Sequence, residues 1–451
     1  MFKWECLVCG FIYDEAAGMP EHDIPAGTRW EDVPDSWFCP ECGVGKADFE
    51  MVRIPAEAGA SQPNAVSDPV IILGSGLAGY SVARELRKLD STIAIKIVTR
   101  DGGEFYSKPA LSNALQKGRQ PDQLVTFSAG QMAEQLQAQV STYTSIERID
   151  TDAQQVYIDG SPQRYSALVL ALGADARRPA LDGDGADAII TVNDLEDYRK
   201  LRRQLGASSR VAILGGGLIG CEFANDLRHA GHWVSIVDRA PCLLSRLLPA
   251  EAAEEMANAL RSIGVRLALG NAPVAVYRRH TGLELHLADG QRLEVDHVLG
   301  AIGLAPRVEL VRAAGIAVAN GVVTDDCLRA SARNVYALGD CAQVHDLVLP
   351  YVMPIMLQAR ALARTLAGTP TAVAYPAMPV TIKTSVLPTV VASPMADTGE
   401  WSTELASRCE KGIANIRCVY RDQHNQMQGF VLMGASAQEK TALLRALPDW
   451  K

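Results

Sequence analysis

Four cysteines near the start of the chain form two pairs of a type that binds metal ions. Each pair has two residues between its cysteines and a glycine after the second, and 29 residues separate the pairs, which are Cys6 with Cys9 and Cys39 with Cys42. A Cys-x-x-Cys-Gly segment makes a tight turn in which backbone amides can point at the sulfur atoms. Two such turns supply four thiolates in a tetrahedron, a geometry that selects iron or zinc. The spacing predicts a metal site and leaves the choice between the two metals open.

Two glycine-rich loops have the spacing of dinucleotide-binding turns, and each lies between an apolar run and a helical pattern. In such a loop the first glycine allows the tight turn, the second lets a pyrophosphate approach, and the third lets helix and strand pack closely. The helix N-terminus then presents unpaired amides to the phosphates. The predicted residues are Gly74, Ser75, Gly76, Leu77, Ala78 and Gly79 in the first loop, and Gly215, Gly217 and Gly220 in the second.

One such motif is a weak signal because glycine turns are common, but two in full context favour two bound dinucleotides over two purely structural turns. After the second loop, the next strand ends in Asp238, 18 residues beyond Gly220. A carboxylate there accepts the ribose hydroxyls of NAD and repels the 2′-phosphate of NADP, so we predict NADH as the donor. The corresponding strand end after the first loop carries Thr99 and Arg100, which we expect to contact the adenosine half of the first dinucleotide.

The distribution of charge separates the cysteine-rich part from the rest of the chain. Residues 1–54 hold 4 Lys/Arg and 11 Asp/Glu, whereas the whole chain of 451 residues has a net charge of −9. This acidic part does not suit nucleic acid and is expected to dock onto a basic surface, unless it is simply a solvated acidic face. We find no signal-peptide core and no apolar run long enough to span a bilayer. The sequence therefore predicts a cytoplasmic protein without membrane insertion, in which disulfides are not expected.

The residues around the four cysteines closely resemble rubredoxin, a family of small one-iron electron carriers, over residues 1–54. The aromatic core of that family is matched by Trp4, Phe11, Tyr13, Trp30, Trp37 and Phe49. The resemblance implies one iron ion held by Cys6, Cys9, Cys39 and Cys42. A zinc ribbon that serves only as an interaction module is the alternative for these residues.

The remaining chain resembles the glutathione-reductase-like flavoproteins, which bind FAD and a pyridine nucleotide in two Rossmann-like domains. The segments that carry the resemblance are 165–174, 298–306 and 334–342. It implies that Asp340 contacts the ribityl and phosphate region of FAD and that the backbone of Val352 contacts the pyrimidine side of the flavin ring. It also implies that the backbone of Ile146 holds the adenine.

Disulfide reductases of this fold carry a Cys-x4-Cys early in the flavin domain, but the corresponding stretch here, residues 105–115, has no cysteine. In lacking these cysteines, and in its segment Tyr106-Ser-Lys108-Pro109, the chain resembles the rubredoxin-reductase branch of the family. In that branch a lysine and a glutamate often lie near flavin N5. Lys108 and Glu222 are the matching candidates, a cation to stabilise the reduced flavin and a carboxylate to orient it. Lys383 is expected to contact the flavin or the docked iron module, with a solvated surface lysine as the alternative.

The predicted fold is a small rubredoxin-like β module, an α/β flavoprotein with Rossmann-like FAD and NAD domains, and a small α+β C-terminal domain. The predicted boundaries are 1–54 for the iron module, 55–68 for a linker, 69–182 with 310–375 for the FAD domain, 183–309 for the NAD domain, and 376–451 for the C-terminal interface domain.

These features predict an FAD-dependent rubredoxin–NAD(+) reductase with its rubredoxin attached. Hydride passes from NADH to FAD, and single electrons pass to the iron and then to an external acceptor protein. In relatives the acceptor is a membrane alkane hydroxylase or a system that removes oxygen, superoxide or nitric oxide, and no residue here distinguishes these. The alternative enzyme is an NADH:ferredoxin reductase or NADH oxidase in which the cysteine module is an accessory.

Overall fold

The computed structural model describes residues 1–6, 11–20, 23–34, 37, 39, 46, 51–54, 68–394, 398–408 and 414–448. The chain divides into two compact units. The first consists of Met1–Lys108, Gln123–Asp175 and Ala305–Tyr375, and the second consists of Pro109–Asp122, Ala176–Leu304 and Pro376–Lys451. The domain boundaries expected from the sequence stay a prediction, and the short segment Pro109–Asp122 belongs to the second unit.

The N-terminal part of the first unit is a small antiparallel sheet over an aromatic core. Its strands are β1 (Lys3–Cys6), β2 (Ile12–Asp14) and β3 (Met51–Ile54), in the order β2-β1-β3. The rings of Trp30 and Trp37 meet edge to face with centroids 5.0 Å apart, and Tyr13 lies 5.5 Å from Trp30. Trp4 and Phe11 pack against the same core, whereas Phe49 lies outside the described residues. Aromatic pairs of this geometry add to the burial free energy on which a small domain depends.

A buried carboxylate ties this module together. Glu15, which is 2% exposed, accepts hydrogen bonds from the backbone N–H of Phe2 (2.7 Å), the indole N–H of Trp4 (2.8 Å) and the backbone N–H of Trp30 (3.0 Å). Burial by itself would raise the pKa of Glu15, but the three hydrogen bonds together lower it. The carboxylate therefore joins the first strand to the segment that carries Trp30.

The rest of the first unit is built on a parallel sheet whose strands lie in the order β24 (Val335–Ala337), β12 (Ala167–Leu170), β4 (Val70–Leu73), β5 (Ile95–Val98) and β8 (Gln139–Ser141). Strands β4 and β12 are continuous apolar runs that are buried at every position, as expected for the inner strands of a sheet covered on both faces. The elements up to residue 176 are β4 (Val70–Leu73), α1 (Leu77–Leu89), β5 (Ile95–Val98), β6 (Phe105–Tyr106), β7 (Val125–Phe127), α2 (Ala129–Leu136), β8 (Gln139–Ser141), β9 (Ile146–Asp150), β10 (Gln155–Ile158), β11 (Ser161–Arg164), β12 (Ala167–Leu170) and β13 (Ala174–Ala176).

The second unit contains a similar parallel sheet whose strands lie in the order β14 (Ile190–Thr191), β21 (His297–Gly300), β15 (Arg210–Leu214), β16 (Trp233–Asp238) and β17 (Arg266–Leu269). The elements between residues 190 and 306 include the strands of this sheet and the strands that flank it. In chain order they are β14 (Ile190–Thr191), α3 (Leu195–Gln204), β15 (Arg210–Leu214), α4 (Leu218–His229), β16 (Trp233–Asp238), α5 (Ala250–Ser262), β17 (Arg266–Leu269), β18 (Pro273–Arg278), β19 (Leu283–Leu287), β20 (Arg292–Val295), β21 (His297–Gly300) and β22 (Leu304–Pro306).

The chain then returns to the first unit and finally completes the second. The returning elements are α6 (Glu309–Ala313), β23 (Val322–Thr324), β24 (Val335–Ala337), β25 (Ala342–Val344) and α7 (Val352–Leu366). The C-terminal elements are β26 (Val380–Ile382), β27 (Thr389–Ala392), β28 (Gly399–Arg408), β29 (Ala414–Asp422), β30 (Met427–Met433) and α8 (Lys440–Leu444). The C-terminal strands form an antiparallel sheet with the order β26-β27-β30-β29-β28.

Both dinucleotide helices begin earlier than their apolar periodicity predicts. The helical pattern starts at Tyr80 and Cys221, but α1 begins at Leu77 and α4 at Leu218, because Gly76 and Gly217 are the N-caps. The last residues of each glycine loop are therefore already helical. Within the described ranges, no helix has both the length and the apolarity that crossing a bilayer requires.

Candidate functional site: two dinucleotide cradles and a cysteine pair

The first glycine loop has the geometry of a phosphate cradle. Gly74 has a φ of +116°, and a Cβ on Gly79 would lie 1.9 Å from the carbonyl oxygen of Gly74, so glycine is required at both positions. A Cβ on Gly76 would instead meet no atom within 4 Å among the described residues. Gly76 caps α1 without a side-chain hydrogen bond, and the first turn carries no acidic residue. Open space in front of unpaired amides fits a pyrophosphate.

Hydroxyl and carboxylate groups brace this loop against the end of β5. Ser75 donates to Thr99 (2.9 Å), and both hydroxyls donate to one carboxylate oxygen of Asp101, at 3.1 and 2.7 Å respectively. Arg100 points to a different partner and forms an ion pair with Asp175 at 3.1 Å. The hydroxyl of Thr99 is thus hydrogen-bonded to other residues of the protein. The contacts of Thr99 and Arg100 with an adenosine group stay a prediction.

The loop that contains Asp340 is held in place by a buried glutamine that the sequence motifs did not reveal. Gln358 on α7 is 2% exposed; its oxygen accepts the backbone N–H of Gly339 (2.7 Å), and its nitrogen donates to the hydroxyl of Tyr375 (2.8 Å). The ammonium of Lys108 lies 3.8 Å from the carboxylate of Asp340. A polar residue on the buried face of the helix after the flavin-type loop is the signal that could have identified Gln358.

Two further predicted FAD contacts lie at the ends of elements in the first unit. Val352 is the first residue of α7, whose N-cap, Tyr351, makes no side-chain cap hydrogen bond within the described residues. Ile146 begins β9 and packs against the core beside the parallel sheet. Their backbone contacts with the flavin and the adenine stay predictions.

The second glycine loop repeats the first cradle in the second unit. Gly215 has a φ of +111°, and a Cβ on Gly220 would lie 1.9 Å from the carbonyl oxygen of Gly215. The position of Gly217 is open, and this residue caps α4 without a side-chain hydrogen bond. Asp238 ends β16, where its carboxylate accepts the backbone N–H groups of Gly216 (2.5 Å) and Ala240 (2.8 Å). These bonds fix the carboxylate beside the glycine loop, where a ribose would lie.

One turn into α4, a fully buried carboxylate receives three hydrogen bonds. Glu222, which is 0% exposed, accepts from the ammonium of Lys383 (2.6 Å), the backbone N–H of Lys383 (2.9 Å) and the hydroxyl of Ser112 (2.5 Å). The Lys383 side chain is 11% exposed, so it is not a solvated surface lysine. Its ammonium has three donors, and within the described residues Glu222 is its hydrogen-bond partner, so two donors remain to meet an anionic group.

The structure gives each of the predicted lysines a carboxylate partner within its own unit. Lys383 binds Glu222, and Lys108 lies beside Asp340. Lys383 directly follows β26, so its backbone and side chain both reach the buried carboxylate. The roles of Lys108, Glu222 and Lys383 beside a flavin stay predictions.

The cysteines of the iron module are described in part. Cys6 and Cys39, one from each pair, are 1% and 2% exposed and belong to the same buried cluster, whereas Cys9 and Cys42 lie outside the described residues. Within the described part, no group of three or more His, Cys, Asp or Glu side chains could hold a metal ion. Because sulfurs from both pairs enter one small core, the residues that are described fit a four-thiolate site.

Cysteines outside the module show no sign of redox pairing among the described residues. Cys221, Cys341 and Cys418 are buried, and burial raises the pKa of each thiol, to about 11 for Cys341. A thiol with a raised pKa stays protonated and is a poor nucleophile. Cys242 and Cys327 are half-buried, and Cys409 lies outside the described residues.

Two phosphate cradles, each at the carboxyl end of a parallel sheet, define an oxidoreductase of the two-dinucleotide class. The sequence matches the pyridine nucleotide-disulphide oxidoreductase family over residues 68–366, the rubredoxin family over residues 3–49 and the rubredoxin binding C-terminal domain over residues 372–447. The chain belongs to the pyridine nucleotide-disulphide oxidoreductase family and carries a rubredoxin domain at its N-terminal end.

Curated relatives cover most of the chain. It is 43% identical to a rubredoxin-NAD(+) reductase of Alcanivorax borkumensis over 381 residues, which are 84% of this chain and 98% of the relative. It is 42% identical to the protein of the same name from Acinetobacter baylyi, over 84% of this chain and 98% of the relative. It is 35% identical to a nitric oxide reductase FlRd-NAD(+) reductase of Aliivibrio fischeri, over 85% of this chain and 99% of the relative.

Solved structures show the same fold. The putidaredoxin reductase–putidaredoxin covalent complex matches with a TM-score of 0.74 and 26% identity, over 84% of this chain and 94% of that chain. A ferredoxin reductase for the CYP199A2 system from Rhodopseudomonas palustris matches with a TM-score of 0.76 and 23% identity, over 85% and 96% of the two chains. The comparisons confirm the predicted fold class, the resemblance to a rubredoxin fused to a flavoprotein reductase, and the assignment as an oxidoreductase.

Proposed function

We propose that this protein is an NADH:rubredoxin oxidoreductase whose rubredoxin is covalently attached. One observation carries the proposal: the first part of the predicted FAD domain, residues 69–182, contains no cysteine, so it lacks the Cys-x4-Cys pair that the flavin reduces in disulfide reductases. The paired cysteines of the chain are those of the N-terminal module. Electrons that enter at the dinucleotide sites therefore leave through the metal that these cysteines hold.

The chain's own residues bind and orient the groups of this reaction. The loop Gly74–Gly79 and Asp340 hold FAD, and the loop Gly215–Gly220 with Asp238 holds NADH. When bound, FAD supplies hydride acceptance and one-electron release, which links a two-electron donor to a one-electron carrier. The buried carboxylate of Glu222 fixes the ammonium of Lys383, which we propose as the cation that stabilises a reduced flavin.

Four thiolates, from Cys6, Cys9, Cys39 and Cys42, hold one iron ion in the module. The burial of Cys6 and Cys39 excludes water from their sulfur atoms. Because the proposed donor, NADH, is a coenzyme of the cytoplasm, we propose that the reaction takes place there. We further propose that the module delivers electrons to an external acceptor protein, such as a membrane alkane hydroxylase.

Anaerobic stopped-flow reduction with NADH tests the proposal. The flavin absorbance should bleach first and the ferric–thiolate bands should follow within the same molecule, at a rate independent of protein concentration. In the Cys39→Ser protein the flavin should still bleach, because the dinucleotide sites are unchanged, but no thiolate band should respond. If NADH bleaches the flavin of the unaltered protein and the ferric–thiolate bands persist, the proposed route through the module is wrong.

A second candidate function is favoured by the similarity to the nitric oxide reductase FlRd-NAD(+) reductases. In this case the same electron path serves a nitric oxide reductase, and the module is the carrier. Steady-state NADH oxidation by the protein, measured with purified alkane hydroxylase and with purified nitric oxide reductase as the final acceptor, separates the two candidates. Metal analysis of the purified chain tests the module itself, since stoichiometric zinc without iron would support an interaction module.

A further inference from the structure

Helix α4 carries polar side chains on the face that is buried in the second unit. Glu222, Asn225 and Asp226 are each 0% exposed and occupy positions i, i+3 and i+4, so they share one face of the helix. Buried polar groups cost free energy unless they are hydrogen-bonded. Here their partners come from two chain segments that are distant in sequence, residues 112–116 and residues 383–386.

Asp226 holds the first of these segments. Its two carboxylate oxygens accept the backbone N–H groups of Leu115 (3.1 Å) and Gln116 (2.8 Å). Hydrogen bonds from backbone amides to a charged acceptor are among the stronger ones in proteins. The bidentate contact fixes the backbone just after Ser112, the residue whose hydroxyl donates to Glu222.

Asn225 joins the first segment to the second. Its amide nitrogen donates to the hydroxyl of Ser385 (3.1 Å) and to the side-chain oxygen of Gln116 (3.3 Å), while its oxygen accepts the backbone N–H of Val386 (3.2 Å). The hydroxyl of Ser385 also donates to Gln116 at 2.9 Å. We use the term polar seam for Glu222, Asn225 and Asp226 on α4 together with Gln116 and Ser385.

We propose that Asn225 and Asp226 are positioning residues that hold Lys383 and Ser112 against Glu222 for the electron-transfer reaction. A free lysine side chain samples many rotamers, so a fixed ammonium requires a fixed backbone. The backbone of the turn after β26 is fixed at Lys383 by Glu222 and at Val386 by Asn225. Because α4 begins at the second glycine loop, one helix sets both the nucleotide cradle and this ion pair.

Hydrogen exchange in the full-length, FAD-loaded protein tests the structural half of this inference. The Ser385→Ala variant removes the hydroxyl that links Asn225 and Gln116, and a lost hydrogen bond of about 1 kcal/mol corresponds to about a fivefold rise in local opening. We expect this rise at residues 112–118, although Ser385 lies in another segment. Ser402→Ala is the matched control, because the exposed Ser402 donates to the backbone oxygen of Val419 elsewhere in the C-terminal domain.

A double-mutant cycle with Lys383→Met tests the functional half. A positioning residue acts through the group it holds, so Ser385→Ala should slow flavin reduction by NADH about fivefold in the unaltered background and should have no further effect in Lys383→Met. The milder variant is chosen because Asn225→Ala, at a fully buried position, can prevent folding. Asp226→Asn, of the same shape, should show the same pattern.

The inference rests on the proposed electron path. Hydrogen exchange and the absorbance changes on addition of NADH distinguish a failure of the positioning inference from a failure of the proposed function. If the ferric–thiolate bands of the unaltered protein do not respond to NADH, the proposed function fails, while the exchange result still judges the polar seam. If Ser385→Ala leaves exchange at residues 112–118 equal to that of Ser402→Ala, the positioning inference is overturned. Equal slowing by Ser385→Ala with and without the Lys383 amine also overturns it, because the residue would then act only on general stability.

Discussion

The buried pair of Glu222 and Lys383 gives a quantitative prediction for the free energy of unfolding. In Lys383→Met the carboxylate of Glu222, which is 0% exposed, loses its cation but keeps the donors from Ser112 and from the backbone of residue 383. Removing one member of a buried pair typically costs 3–5 kcal/mol. Because two of three donors remain, we expect the lower end of that range, about 3 kcal/mol.

The Glu222→Gln variant and the double variant show whether the charges of Glu222 and Lys383 stabilise each other. Glu222→Gln leaves a mostly buried ammonium facing a neutral amide, and we expect a cost of about 2–3 kcal/mol. The double variant with Lys383→Met removes both charges of this pair, so its cost should be only about 1 kcal/mol, far below the sum of the single changes. Lys200→Met is the matched control, since Lys200 is 55% exposed and lies 3.9 Å from Asp197; its cost should stay within about 0.5 kcal/mol.

Urea unfolding of the full chain, read by pulse proteolysis, measures these differences. With a slope of about 3 kcal/mol/M, a loss of 3 kcal/mol moves the midpoint by about 1 M. The reasoning fails if Lys383→Met shifts the midpoint no more than Lys200→Met does. It also fails if the double variant loses as much stability as the two single variants together, because the charges would then not be coupled.

Three further predictions concern the NADH cradle and the pH dependence of stability. Asp238→Ala should raise KM for NADH about tenfold in steady-state assays and narrow the preference over NADPH, because the ribose loses a carboxylate acceptor and the repulsion of a 2′-phosphate disappears. Gly220→Ala should abolish NADH binding in titrations, since its Cβ would lie 1.9 Å from a carbonyl oxygen, whereas Gly206→Ala, whose Cβ would lie in ordinary contact 3.7 Å from the Ser209 hydroxyl, should bind NADH normally. Burial, with the charges of neighbouring groups, lowers the pKa of His232, whose ring nitrogen accepts the backbone N–H of Ser209. The unfolded chain then binds the proton more readily, so stability should fall as pH drops below about 6.5, and His232→Gln should flatten this dependence in urea unfolding; an unchanged slope would contradict it.

The glycine loops of both cradles could be predicted because the residues that define each loop are close together in the sequence. Each glycine loop, its preceding strand and Asp238 lie within one βα unit, and the steric demands on Gly79 and Gly220 are met by atoms only a few residues away. The helix starts were predicted too late because apolar periodicity does not register a glycine N-cap, which begins the helix inside the loop.

The partner of Glu222 could not be predicted from the sequence for a physical reason. Glu222 and Lys383 are 161 residues apart, and only the tertiary fold of the second unit brings them together. The same holds for Gln358, which reaches the loop before Asp340 across 19 residues. The sequence does contain polar residues at helical spacing on the inner face of α4. This pattern indicates that the polar residues have buried hydrogen-bond partners, but it does not identify the partners.

The order of strands in the first parallel sheet has a consequence for synthesis of the chain. Strand β12 pairs on one side with β4 and on the other with β24, where Leu168 lies opposite Val335. During translation at about 5–20 residues per second, the partner on that second side emerges roughly 8–30 s after β12 itself. In that interval a fully apolar strand is an open sheet edge, the kind of surface that recruits other nascent chains. The N-terminal module is contiguous in the sequence and has no such wait, so it can fold before the first parallel sheet is closed.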